Sequence, residues 1–292
     1  MGIYNVTGAQ VFSAYSVAGE NLNTAYSVDS DVVFVNQQTI KVMTYNVGQW
    51  YLGNHDNVPA NLDEAYFELQ SGIIARNDPD ILFLNEYTKQ FSKAGRTAVS
   101  LLQPYFPYIH EQADNSVTSG RNRAICSKYP ITDYTVRAFG DASNLYYDSC
   151  TITINGFPLY AVVTHLHWDN RTLRIEEINK ILTLVANQPT FIFAGDLNTL
   201  SCKSTTDEDY IAIMEPILNA GYHAANNDGT NFRVTYSDEP VGPYTGCLDN
   251  IVTSSNFTLS DIYVDTTKQN DQLIEKVDHM PLIATITLTG EP

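Results

Sequence analysis

The stretch YYDSCTITI-NG-FPLYAVVT, residues 146–164, decides the fold. Two runs rich in β-branched and aromatic residues, Tyr146–Ile154 and Leu159–Thr164, flank Asn155-Gly156, the dipeptide that a tight antiparallel hairpin favours. A purely parallel, doubly wound sheet contains no such meander. Yet Leu159–Val163, Ile81–Leu84 and Phe191–Ala194 are apolar at nearly every position, as strands covered on both faces should be. Sheets of mixed direction, packed face to face with helices outside, satisfy both observations. The pattern therefore predicts one domain of two sheets.

The rest of the chain from Thr39 fits that plan. Asn61–Asn77 sets Leu62, Ala65, Tyr66, Leu69, Ile73 and Ile74 on one helical face, and Asn170–Ala186 does the same with Ile175, Ile178, Ile181, Leu182 and Val185. Further helices are expected over 88–103 and Asp209–Ala220. Strands are expected up to His110 and at Arg123–Ser127, Ile131–Val136, Ile251–Thr253, Phe257–Val264 and Pro281–Thr287. Residues 1–36 differ: they contain no Lys or Arg, and Ala14-Tyr15-Ser16-Val17 recurs as Ala25-Tyr26-Ser27-Val28. Residues 1–38 are read as an accessory extension able to form a β-hairpin, and residues 39–292 as the main domain.

Sixteen Lys and Arg against 33 Asp and Glu give a formal net charge of −17. Constitutive polyanion binding usually needs a basic face, so tight, permanent DNA or RNA binding is disfavoured, although a nuclease needs only local cations and a metal. The four cysteines are dispersed without a CxxC pair, and Cys126 and Cys150 read as small buried hydrophobes. No positively charged start with an apolar core and no run of about 20 apolar residues is visible, so a soluble, cytoplasmic location without membrane insertion is expected.

Chemistry gathers at the strand ends. Asn46, Glu86, Asp196 and Asn198 follow the runs Lys41–Tyr45, Ile81–Leu84 and Phe191–Ala194, and Asp278-His279 precedes the run Pro281–Thr287. Strand ends side by side form a rim, and hard oxygen donors on one rim suit a Mg²⁺-type cation. Each motif alone has an ordinary explanation, since a carboxylate after a strand is commonly a solvated cap and Gly-Asp-x-Asn is common turn chemistry.

Together the motifs carry a resemblance. MTYNV at 43–47, LNEY at 84–87, GRNRAICSKYPI at 120–131, VVTHL at 162–166, FAGDLNT at 193–199, LDNIVTS at 248–254 and VDHMPL at 277–282 occur in order. The sequence resembles the endonuclease/exonuclease/phosphatase superfamily of Mg²⁺-dependent, DNase I-like enzymes over about residues 39–290. The resemblance implies an α+β, four-layer α-β-β-α sandwich of two mixed, mostly antiparallel sheets. It implies a divalent-metal-dependent hydrolase, with Mg²⁺ or Mn²⁺ held by Glu86 and Asp278 assisted by Asn46. Asp196 would orient and deprotonate the attacking water, and Asn198 would hold that water or a phosphate oxygen. His165 and His279 would bond the scissile phosphate, and Asp249 would pair with His279. Asn85 stands where the family usually has Gln.

The substrate stays open, because one catalytic centre serves unlike phosphoesters across the family. A nuclease is one reading, with Arg121, Arg123, Lys89, Lys93 and Arg96 as candidate backbone contacts. A small-molecule or lipid-headgroup phosphatase is another. Residues 243–251 are loosely similar to an inositol phosphatase segment, but Asn250 replaces the usual Arg and the Trp is missing. A catalytically inactive binding module is the third, opposed by the retention of every candidate acid, amide and histidine. His165 and His167 could share a face as zinc ligands do, but no third and fourth soft ligand stands at suitable spacing. His167-Trp168 is read instead as bordering the cleft.

Overall fold

The computed structural model describes residues 24–28, 31–35, 38–48, 64–87, 92–93, 96–111, 122–140, 145–200, 202–237, 245–266 and 278–288. Two six-stranded sheets dominate. In spatial order the first contains Phe257–Val264, Leu282–Leu288, Thr39–Asn46, Ile81–Tyr87, Asn122–Ser127 and Tyr108–Glu111. The second contains His223–Ala224, Asp249–Thr253, Phe191–Asp196, Phe157–His165, Tyr146–Ile154 and Ile131–Ala138. The expected hairpin is present, closing at Ile154↔Phe157 around Asn155 (φ 50°) and Gly156 (φ 89°).

Each sheet holds one parallel pair at its centre, Thr39–Asn46 with Ile81–Tyr87 and Phe157–His165 with Phe191–Asp196. A parallel pair needs a crossover, and each has a helix in the connection: Glu64–Asn77 in the first sheet and Arg171–Val185 in the second. The second helix begins where Asn170 caps it, its side chain accepting from the Leu173 amide at 3.3 Å. Parallel strands end on the same edge, so Asn46, Glu86, His165 and Asp196 fall on one rim as a consequence of topology.

Side-chain alternation builds the layers. Ile81 and Phe83 join Ile192, Ala194, Ala161 and Val163 in an apolar cluster between the sheets. Their neighbours Leu82 and Leu84 pack outward with Ile73 and Ile74 of the first crossover helix. Phe191, Phe193 and Val162 pack outward with Ile178, Ile181 and Val185 of the second. The result is the DNase I-like sandwich, helices outside two facing sheets.

Three local expectations need correction. Helix was expected over 88–103, but among the described residues of that span only Ala98–Leu102 is helical, and Ser92–Lys93 pairs with Arg96–Thr97. The reason is a capping box, in which the Thr97 hydroxyl takes the Ser100 amide and the Ser100 hydroxyl takes the Thr97 amide, fixing the helix start there. The helix expected at Asp209–Ala220 opens as a π-turn, Tyr210–Met214, before Glu215–Asn219. Pro216 has no amide hydrogen to continue a regular ladder. Finally, Arg123 is not a surface cation for a phosphate backbone. It is buried, and its Nε and Nη2 donate to Asp148 Oδ1 at 3.1 and 3.0 Å, with the Tyr134 hydroxyl on Asp148 Oδ2 at 2.8 Å. This ion pair joins the two sheets across their inner faces.

The second copy of the N-terminal repeat lies in Thr24–Val28, which pairs antiparallel with Asp31–Val35. The first copy, Arg121 and Lys89 lie outside the described residues. All four cysteines are free and buried. Among the described residues no helix is long and apolar enough to cross a membrane.

Removing one member of a buried ion pair strands the other charge, which costs about 3–5 kcal/mol. Arg123→Ala should therefore lower unfolding stability by that order in urea titration, and an unchanged midpoint would show that the pair does not tie the sheets.

Candidate active site

The rim residues meet because backbone from the two sheets comes within bonding distance. Asn85, buried at the end of Ile81–Tyr87, donates from Nδ2 to the Thr164 carbonyl at 2.9 Å and accepts the Asp196 amide on Oδ1 at 3.1 Å. One short amide thus links a strand of one sheet to two strands of the other. Gly195 makes room for it. Its φ is +145°, and a Cβ there would lie 1.8 Å from the Thr164 carbonyl oxygen and 2.9 Å from Asn85 Oδ1. No other residue fits such a site without moving the backbone.

Glu86 is aimed by a strand irregularity. The register against Asn122–Ser127 shifts between Leu84 and Tyr87, and Glu86 has φ 50°. A left-handed non-glycine residue costs about 1–2 kcal/mol, and bulges re-aim side chains beside active sites. Asn46 Nδ2 donates to Glu86 Oε1 at 3.2 Å and Asp196 Oδ2 at 3.0 Å, and lies 3.5 Å from His279 Nε2. Its oxygen accepts the Gly48 amide at 3.1 Å. Asn46 is therefore a hub between the two sheets, and it could serve a cation only through an oxygen already shared with Gly48.

Asp196 and Asn198 are brought together by a turn. The strand stops at Asp196, and Asn198 turns left-handed at φ 51°. Asp196 Oδ1 accepts the Asn198 amide at 2.8 Å, an Asx turn that leaves Oδ2 facing the cleft. Asn198 Nδ2 is anchored on the Leu166 carbonyl at 2.7 Å. Asp196 Oδ2 lies 3.5 Å from Nε2 of both His165 and His279.

The two histidines sit in opposite electrostatic settings. Burial lowers the affinity of His165 for a proton, and the nearby Asp196 and Glu86 carboxylates only partly oppose this, so its net shift is below the ordinary imidazole range. Burial acts the same way on His279, but the Asp249 and Asp196 carboxylates on its two sides outweigh it and raise it well above that range. His279 Nδ1 is 2.8 Å from Asp249 Oδ2, and burial pushes the Asp249 carboxyl up while the imidazolium draws it back. The pair holds a proton between them.

Thr235 was not identified from sequence and no motif marks it. Its hydroxyl accepts the amides of Leu248 and Asp249, both at 3.0 Å, and its carbonyl accepts the Met280 amide at 2.7 Å. It thereby sets Asp249 beside His279. Asn226 is also buried; its Nδ2 donates to the Asp249 carbonyl at 3.1 Å and it exchanges bonds with Asn250. Trp168 lines the cleft but His167 is not among its lining residues, and His167 Nδ1 lies 2.9 Å from Asp169 Oδ1.

Glu86, His165, Asp196, Asn198, Asp278 and His279 all line one cleft of about 1010 Å³. Asp249 stands behind His279. Two groupings could hold a cation. Glu86 and Asp278 are oxygen donors, neither of them fully buried, and open on the cleft, which suits a hard divalent ion that keeps waters. Asp196, Asp249 and His279 offer ligand atoms within 4.8 Å of one another, all buried. That second set already closes on itself through the proton at His279 Nδ1.

A model of the Endonuclease/Exonuclease/phosphatase family matches residues 43–274. No curated protein sequence matches the chain significantly. Similar solved structures include truncated Caenorhabditis elegans TDP2, 17% identical over 85% of this chain and 97% of that one, TM-score 0.64. D. rerio TDP2 complexed with single-strand DNA product is 17% identical, over 85% and 98%, TM-score 0.62. An endonuclease/exonuclease/phosphatase protein from Beutenbergia cavernae DSM 12333 is 16% identical, over 87% and 72%, TM-score 0.65. These likenesses carry the fold. With the family model spanning most of its length, the chain belongs to the endonuclease/exonuclease/phosphatase family.

Proposed function

We propose that the protein is a divalent-metal-dependent phosphodiesterase of the nuclease type, using Mg²⁺ or Mn²⁺. The observation that carries this reading is Asp196 Oδ2, which lies within 3.5 Å of Asn46, His165 and His279 on a cleft that Glu86 and Asp278 also line. A base, a charged donor and a neutral donor meet at one point, with oxygen donors nearby.

Glu86 and Asp278 would hold the cation, and Asn46 keeps Glu86 in place. When bound, the ion would neutralise charge building on the phosphoryl oxygens. Asp196 Oδ2, oriented by the Asx turn to Asn198, accepts the proton of a water attacking phosphorus in line. His279, charged and held by Asp249, donates from Nε2 to a phosphoryl or leaving oxygen. His165, neutral, places a second hydrogen bond without adding charge. Asn198 keeps an amide hydrogen for the water or a phosphate oxygen. The D. rerio neighbour's DNA product adds nucleic acid to the candidate substrates.

Asp196→Ala and His279→Ala should each lower kcat on bis-p-nitrophenyl phosphate by at least ~10²-fold, the scale of one general acid or base. Turnover at the wild-type level in either variant would remove that residue from the chemistry. EDTA should abolish hydrolysis and added Mg²⁺ restore it; full activity in EDTA would contradict a metal-dependent reaction.

A further inference from the structure

Beyond the rim, the cleft continues as an apolar slot that the proposed chemistry does not use. Trp168 is 55% exposed and Leu200 42% exposed, both on the cleft wall, with Leu145, Leu166 and Leu248 around them. An exposed Trp normally costs hydrophobic free energy and side-chain order. Here the backbone that carries it is held firmly. The His167 amide donates to the buried Glu177 carboxylate at 2.7 Å, and Arg174 Nη1 donates to the His167 and Trp168 carbonyls at 3.0 and 3.2 Å.

The same arginine also holds a second stretch of the cleft lining. Arg174 Nη2 donates to Asp209 Oδ1 at 2.9 Å, at the end of the segment that carries Leu200 and Lys203. Asp207 holds that segment's turn, accepting the Lys203 and Ser204 amides at 2.6 and 2.8 Å. Buried Arg174 thus anchors the Trp168 backbone and Asp209 together before any ligand arrives. Trp168 lines the same cleft as His165, three residues before it in the chain.

We infer that this slot binds a planar aromatic ring of the substrate, stacked on Trp168 against Leu200, so that the preferred substrate is a phosphoester bearing a nucleobase or an aryl group close to the scissile phosphate. An exposed indole on a cleft wall whose backbone is anchored suits a flat ring better than a flexible acyl chain, and stacking on an aromatic side chain accepts any base. Charge points the same way. Lys203 is the only Lys or Arg among the described lining residues, against Glu86, Asp196, Asp207 and Asp278. Such a wall favours a ligand with one or few phosphates over a long polyanion. The inference rests on the phosphodiesterase reading for the position of the phosphate, but its test does not require turnover.

The test is calorimetric binding of adenosine 5′-monophosphate, phenyl phosphate and ribose 5-phosphate to the wild-type protein with Mg²⁺, and to Trp168→Ala, Trp168→Phe and Leu200→Ala. Trp168 is half exposed, so these variants should fold. At least one ring-bearing ligand should bind about tenfold or more tighter than ribose 5-phosphate. Trp168→Ala and Leu200→Ala should erase that margin, and Trp168→Phe should keep most of it. Preference for adenosine 5′-monophosphate identifies a nucleobase, and preference for phenyl phosphate an aryl ester. Equal affinity for all three ligands, or a margin untouched by Trp168→Ala, would overturn the inference. An inactive wild-type protein that still shows the margin would sink the phosphodiesterase reading and leave the slot standing.

Discussion

The side-chain amide of Asn85 is the interaction on which the rest depends. It donates to Thr164 in one strand of the opposite sheet and accepts from Asp196 in the next. Two packed sheets normally stand about 10 Å apart, too far for carboxylates on separate rims to act on one phosphate. Bonding across the seam brings the ends of both parallel pairs together, with Gly195 supplying the missing side-chain volume. Asn46 then spans the same seam to reach Asp196. The family's longer Gln at position 85 would need a different approach of the sheets, so Asn85 and Gly195 are best seen as one fitted pair.

Around this seam the acidic groups divide into two halves, one open to the cleft and one buried. Glu86 and Asp278 face the open cleft, where a cation can keep part of its water shell. Asp196, Asp249 and His279 are buried, and His279 and Asp249 hold a proton between them. The split follows from position: Glu86 is turned outward by a left-handed residue after a strand slip, whereas Asp249 starts a covered strand beneath Thr235. Burial alone would leave both histidines neutral. Carboxylates on both sides of His279 reverse that outcome, and the weaker opposition at His165 does not.

Much of the architecture was legible in the sequence because it rests on local rules. Asn155-Gly156 encodes its hairpin through the backbone freedom of those residues, and the fully apolar runs encode burial on both faces. Asn170 marks a helix start by its side-chain oxygen. The rim residues were legible because parallel strands must end on the same edge. What escaped was what depends on long-range partners. Nothing near Arg123 announces Asp148, 25 residues away, so a buried ion pair read as a phosphate contact. Thr235 and Asn226 are ordinary turn residues until Asp249 packs against them. Asp196 and Asn198 meet through an Asx turn, which their two-residue spacing does not distinguish from strand alternation.

The division of the rim into a cation half and a proton half is the central claim, and locating a bound ion tests it most directly. Anomalous diffraction from crystals grown with Mn²⁺ should place the ion beside the carboxylates of Glu86 and Asp278, leaving the contact between His279 and Asp249 at hydrogen-bond distance. A Mn²⁺ peak among Asp196, Asp249 and His279, with that contact broken, would contradict the account.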